Sequence, residues 1–176
     1  MTSGVGLVTG AGSGIGRAAA IALAADGFNI GALGHTAAEL SSTVDEILAV
    51  GGKAIPLLAD VSDEQQLQSA VSLLVRTFGR LDLVVANAGI NGVWAPIDDL
   101  TLEEWNRTIA VNLTGTFLTI RATVPELKRA GGGSIVVVSS INGTRTFTTP
   151  GATAYTATKA GQVAMVQQLA LGSRLN

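Results

Sequence analysis

The sequence predicts an α/β fold, a doubly wound parallel sheet with helices on both faces, built as a single domain over residues 1–176. Three observations carry this expectation. Short apolar runs recur along the chain with helix-patterned segments between them, an alternation that builds parallel sheets because each crossover lays its helix on a sheet face. The first run ends in Gly10-Ala11-Gly12-Ser13-Gly14-Ile15-Gly16, and an alanine-rich helical stretch follows it. The length suits one core that buries most of its apolar surface without staples.

Val5–Thr9 reads as the first strand, and the glycine turn after it opens a helix running to Asp26. Glycines admit positive φ and let a ligand approach the backbone, while the helix N-terminus offers free N–H groups to an anion such as a pyrophosphate, as in Rossmann-type folds. The turn departs from G-x-G-x-x-G because Ile15 holds the sixth position; what stands here is Thr9-Gly10-x-x-x-Gly14-Ile15-Gly16. Asn29–Gly34 is a second strand. Thr36–Val50 is a helix with Leu40, Val44, Ile47 and Leu48 apolar, and residues 54–58 are a third strand closed by Asp60-Val61. Ser62 with Gln65 forms a capping box for a helix to Phe78.

Residues 81–86 are a fourth strand entering Asn87-Ala88-Gly89-Ile90-Asn91-Gly92, a small polar loop suited to close approach of a flat ring. Thr101 with Glu104 caps the next helix, whose period runs through Trp105, Ile109 and Leu113 and turns Asn112 inward, where its amide needs partners. That helix continues to Arg129, with Pro125 kinking or dividing it. Gly131-Gly132-Gly133 turns into a fifth strand at residues 134–139, and a threonine-rich loop, Ser140–Gly151, leads to a helix over 152–170.

Composition narrows the function classes. The chain is 47% hydrophobic, yet its longest helix-like apolar run, Ala18–Ala25, falls far below the ~18 residues of a membrane span. No basic segment followed by an apolar stretch opens the sequence, so no signal peptide is expected and a cytoplasmic location is. With no cysteine there is no thiol nucleophile, disulfide or Cys-based zinc site, and with one histidine a Ser-His-Asp relay has only His35 to use. A net charge of −2 without a basic stripe argues against nucleic acid and anionic membranes, and no metal site is expected. The expected partner is a small molecule.

Tyr155 and Lys159 stand four residues apart, so a helix puts the phenol and the ammonium on one face. In a dinucleotide fold a carboxylate near the end of the second strand holds the adenosine ribose hydroxyls. Here Gly34-His35-Thr36 occupies that place, and the next acid, Glu39, is a turn into the helix. Lack of an acid removes repulsion against a 2′-phosphate, so NADP is expected over NAD, with His35 beside it in place of an arginine.

With these motifs in this order, the sequence resembles the short-chain dehydrogenase/reductase family from residue 5 to about 170, most nearly its ketoreductase branch. The resemblance implies that Gly10, Ser13, Gly14, Ile15 and Gly16 form the cofactor loop, that Asp60 with Val61 contacts the adenine, and that Asn87, Ala88 and Gly89 lie beside the cofactor. It implies a catalytic tetrad of Asn112, Ser140, Tyr155 and Lys159, with Lys159 also binding the nicotinamide ribose. The implied reaction interconverts a ketone and a secondary alcohol. A free phenol is a weak acid near neutrality, and a neighbouring cation makes Tyr155 a readier proton donor. Ser140 then donates a hydrogen bond to the substrate oxygen, with Ser139 and Asn142 as alternatives, and Asn112 holds a water linking Lys159 to solvent. Trp94, Asn142, Arg145 and Phe147 edge the substrate pocket. The family continues through further strands, so the resemblance implies a truncated C-terminal part, and it implies a homotetramer or homodimer. Two other readings stand beside this one: a dinucleotide-binding fragment or sensor without catalysis, and a sugar-nucleotide epimerase or dehydratase.

Overall fold

The structure is a computed structural model and describes residues 4–145 and 150–172. Phe147, expected at the pocket edge, and the tail 173–176 lie outside the described residues. Among the described residues five parallel strands form one sheet in the order β3-β2-β1-β4-β5: β1 (Val5–Thr9), β2 (Asn29–Gly34), β3 (Lys53–Leu58), β4 (Leu83–Ala86) and β5 (Ser134–Val137). This is the doubly wound Rossmann-type architecture, and among the described residues β3 and β5 are its edges.

Among the described residues six α-helices flank or follow the strands: α1 (Gly14–Ala25), α2 (Ala37–Ala49), α3 (Glu64–Phe78), α4 (Leu102–Thr108), α5 (Gly115–Arg129) and α6 (Thr153–Gly172). Strand alternation divides the core between the two faces. Leu7 and Val84 point into a cluster with Leu67, Leu74 and Leu118, carried by α3 and α5. Val8 and Val85 point the other way, onto Ala20, Ala24, Leu40 and Ile47 of α1 and α2. The chain leaves β1 toward β2 and β3, then returns to place β4 on the opposite side of β1. A crevice opens at that switch point, beyond the C-terminal ends of β1 and β4. Among the described residues no helix is long and apolar enough to cross a membrane.

Several local expectations change. Leu48 is 51% exposed, because the buried face of α2 runs through Leu40, Thr43, Val44 and Ile47. The N-cap of α3 is Asp63, not Ser62: Asp63 Oδ1 accepts from the amides of Gln65 and Gln66 at 2.9 and 3.0 Å. Ser62 instead donates its hydroxyl to Asp60 Oδ1 at 2.7 Å. Asp60 and Val61 lie beyond β3, which ends at Leu58, although Ala59 N still donates to Gly34 O. β4 starts later than expected, after Asp82 has turned its carboxylate onto Val5 N at 2.9 Å. β5 stops at Val137, two residues short of the expected end.

The capping box at Thr101 and Glu104 forms as expected, with Glu104 N donating to Thr101 Oγ1 and Thr101 N to Glu104 Oε2. Beyond it the helix does not stay α. Ile109–Thr114 is a π-helical segment, one wide turn between α4 and α5, and Asn112 lies within it. α5 continues through Pro125 without a break.

Candidate cofactor and proton-transfer site

The crevice is built first from backbone. Thr9 Oγ1, at the end of β1, accepts from the amides of Asn87 and Ala88 at 3.0 Å each, and Asn87 Nδ2 donates to Thr9 O at 3.0 Å. These bonds clamp the loop after β4 against the loop after β1. Gly10 takes φ +65°, and a Cβ there would stand 2.9 Å from Asn87 Nδ2. A Cβ on Gly16 would fall 2.1 Å from Gly10 O, so α1 starts as close to the β1 loop as a backbone allows. The result is a crevice of ≈ 690 Å³ lined by Ser13, Gly14 and Ile15 and by the Asn87-Ala88-Gly89 loop. His35, Asp60 and Val61 line it as well.

Two charged residues that the sequence does not assign to the site also line the crevice, Arg107 and Glu39. Glu39 belongs to α2, yet a Cβ on Gly12 would lie 2.8 Å from its Oε2. The carboxylate therefore overhangs the glycine turn. The signal was available: Glu39 is in the first turn of α2, and helical side chains lean back toward the N-terminus. This crevice fits a dinucleotide, with glycines that admit a pyrophosphate to the N-terminus of α1 and the Glu39 carboxylate over the turn.

Tyr155, Lys159 and Asn112 gather at the Gly89 end. Lys159 is 4% exposed, its Nζ donates to Val138 O at 2.8 Å, and it stands 5.6 Å from the centroid of the half-buried Tyr155 ring. Burial pushes the Lys159 ammonium below its ordinary pKa. A Cβ on Gly89 would lie 3.7 Å from Lys159 Nζ and 3.2 Å from Asn112 Oδ1, so Gly89 lies between the lysine and the buried amide.

Ser139 and Ser140 divide their tasks. Ser139 spends its hydroxyl proton on Lys159 O at 2.9 Å, which ties the end of β5 to α6 and removes it as a donor to substrate. Ser140 accepts from Asn142 N at 3.2 Å, and among the described residues its own proton has no acceptor. The short 3₁₀ turn at Ile141–Gly143 lies directly on α6, since a Cβ on Gly143 would meet Lys159 O at 2.6 Å. Asn142 and Arg145 line a shallow depression beside the start of α6. The loop of the half-exposed Trp94 is fastened nearby, where Ala95 N donates to Gly151 O at 3.2 Å.

Asn112 is completely buried, and its side chain braces other segments. Its Oδ1 accepts from Ile90 N at 2.8 Å, and its Nδ2 donates to Ile90 O at 2.8 Å and Thr158 Oγ1 at 3.3 Å. Both amide hydrogens are thereby used, and Oδ1 keeps a second lone pair. The amide joins the π segment to the loop after β4 and to α6.

Residues 5–174 match the sequence profile of the short chain dehydrogenases. The chain is 43% identical over 181 residues to an uncharacterized NAD-dependent oxidoreductase of Mycobacterium tuberculosis (strain CDC 1551 / Oshkosh), with 95% of this chain and 65% of the relative covered. It is 37% identical over 161 residues to a 3-oxoacyl-[acyl-carrier-protein] reductase of Thermotoga maritima, with 92% and 64% covered. The crystal structure of a 3-ketoacyl-ACP reductase from Sinorhizobium meliloti superposes with a TM-score of 0.94 at 72% identity, covering 96% of this chain and 66% of that one. The chain thus spans about 65% of the length of the curated relatives it matches.

Proposed function

The chain belongs to the short-chain dehydrogenase family, and from that premise we propose that it interconverts a ketone and a secondary alcohol by hydride transfer with a nicotinamide dinucleotide. The observation that carries this reading is Lys159 Nζ beside the Tyr155 ring, at the Gly89 end of a crevice lined with glycine. When bound, the nicotinamide supplies or takes up the hydride at the substrate carbon. In the reducing direction Tyr155 gives its phenolic proton to the carbonyl oxygen. Ser140 donates its unspent hydroxyl proton to the same oxygen and stabilises the charge that develops there. Lys159 favours the tyrosinate that remains, and Asn112 holds the water that returns the proton.

For the cofactor, Glu39 supports NAD. The expectation of NADP rested on Gly34-His35-Thr36 lacking an acid, and Glu39 brings one in from α2, over Gly12. A carboxylate there accepts from the ribose hydroxyls and repels a 2′-phosphate. The NAD-dependent M. tuberculosis relative supports the same choice. Exposed Phe117 on α5 and Val166 on α6 support pairing into a homodimer or homotetramer, and a cysteine-free chain suits the cytoplasm.

Fluorescence titration with NADH and NADPH, run beside a carbonyl-reduction panel, tests the proposal. Expected are tighter binding of NADH and oxidation of the cofactor on at least one ketone. Binding without turnover on any carbonyl would replace it with the non-catalytic sensor reading. A preference for NADPH would remove Glu39 from the cofactor site.

A further inference from the structure

Gln162 is a buried amide in the middle of the helix that carries the proton-transfer pair. It is 1% exposed and stands three residues beyond Lys159. Its Nε2 donates at 2.8 Å to Asn112 O and at 2.8 Å to Thr116 Oγ1, and Thr116 Oγ1 itself donates to Asn112 O at 2.7 Å. The triangle fixes the amide's orientation. A backbone carbonyl only accepts, so the nitrogen must face Asn112 and the oxygen must face away. Among the described residues that oxygen, Oε1, is buried with no partner.

Leucine or methionine at this position would fill the space without burying an unpaired oxygen. What the glutamine contributes is therefore sought in what it holds, which is the wide turn. A π segment breaks the regular ladder of i to i+4 bonds, and such segments occur often at functional sites. Here it needs an outside anchor, and α6 comes close enough to provide one: a Cβ on Gly161 would lie 3.0 Å from Leu113 Cδ1.

We infer that Gln162 is a positioning residue, which fixes the π segment so that the Asn112 side chain stays on Ile90 and Gly89 stays between Asn112 and Lys159. The connection is continuous. Gln162 holds the Asn112 carbonyl, the Asn112 amide holds both backbone groups of Ile90, and Gly89 precedes Ile90 at the lysine. Its effect on turnover rests on the proposed oxidoreductase reading; its effect on the Ile90 loop does not.

The test compares wild type with Gln162→Met, which keeps the volume and removes the hydrogen bonds. Hydrogen exchange at the Ile90 amide should accelerate about tenfold while the β1 and β2 amides are unchanged. The kcat of ketone reduction should fall about tenfold, with KM and NADH affinity held within about twofold. Thr116→Val, which removes one corner of the triangle, should shift both readouts the same way with smaller amplitude. Unchanged Ile90 exchange, or equal acceleration across all strands, would overturn the inference. A wild-type protein that binds NADH but reduces no carbonyl would remove the oxidoreductase reading, and Ile90 exchange would still decide the positioning role.

Discussion

The two halves of the molecule make their contribution to the site by different means. The β1-α1-β2-α2 half offers backbone: Gly10 and Gly14 at positive φ, and Gly16 against Gly10 O. The half from β4 onward offers buried polar side chains. Among the described residues, eight of the ten buried polar residues lie at Thr108 or beyond; Asn112, Thr116, Thr158 and Gln162 connect the π segment, α5 and α6, and Lys159 ties α6 to Val138. A backbone cradle is sensitive to any Cβ in the wrong place and indifferent to hydrogen-bonding type. A buried polar network is the reverse, since each member must find its partner once water is excluded. Binding and chemistry should therefore fail separately when the two halves are damaged separately.

The largest expected effect is on chemistry alone. Tyr155→Phe removes the proposed proton donor and leaves the crevice intact, so kcat should fall by about 10²–10⁴-fold while NADH titrates as in wild type. Stopped-flow reduction beside fluorescence titration reads both. Loss of cofactor affinity in this variant would merge the two halves into one unit.

The converse damage comes from Gly16→Ala. The added methyl would stand 2.1 Å from Gly10 O and 2.5 Å from Asn87 Nδ2, so the start of α1 must move away from the loop after β4. Overpacking of this kind costs about 1–3 kcal/mol, and urea denaturation should show a loss at the upper end of that range. Dinucleotide binding should be lost with it. A variant that binds NADH normally would show that the α1 N-terminus does not face the pyrophosphate.

These two halves were not equally legible. The glycine turn announces itself, because positive φ and close approach select one residue type and the spacing of Gly10, Gly14 and Gly16 records it. Tyr155 and Lys159 were legible for a similar reason, since a single helical turn fixes their relation. The π segment was not. Its extra residue leaves no periodic mark, so Ile109 and Leu113 fit an α pattern that the backbone does not follow. Gln162 passed unnoticed although Ala154, Thr158 and Gln162 recur every four residues on the buried face of α6. A glutamine at a core spacing was the available signal. The α3 cap failed differently: Ser62-x-x-Gln65 and Asp63-x-x-Gln66 are both capping patterns, and the choice fell to Asp60, which engages the Ser62 hydroxyl.

A milder probe of the polar half uses pH. Burial lowers the Lys159 pKa below its ordinary 10.5, so between the native value and 10.5 the unfolded chain binds more protons than the folded one. Stability in that window must rise with pH. Lys159→Met lacks this proton, and its loss of the bond to Val138 O is a constant offset. The Tm of wild type minus that of Lys159→Met should therefore increase from neutral pH toward alkaline pH in thermal melts of the free protein. A flat difference would mean that the ammonium is hydrated in spite of its burial.

The smallest expected effect belongs to Asp63→Ala, which touches neither half's contribution. Asp63 caps α3, and the Gln66 backbone N–H is the main cause that holds its carboxyl below the usual 3.8, with the Gln66 side chain and the Gln65 amide adding to it. Loss of the cap should lower Tm by roughly 2–4 °C near neutral pH. The sign of the pH dependence follows from the depressed value: the contribution is complete above about 3.8 and fades as acid protonates the native carboxyl, so the Tm gap should narrow at low pH. Turnover should not change and NADH affinity should hold within about twofold, because Asp60 at the crevice keeps the Ser62 amide and hydroxyl on its carboxylate, and only the Gln66 side chain on its amide is itself held by Asp63. A fall in NADH affinity would show that the α3 cap positions Asp60 after all, and that the cradle extends beyond its glycines.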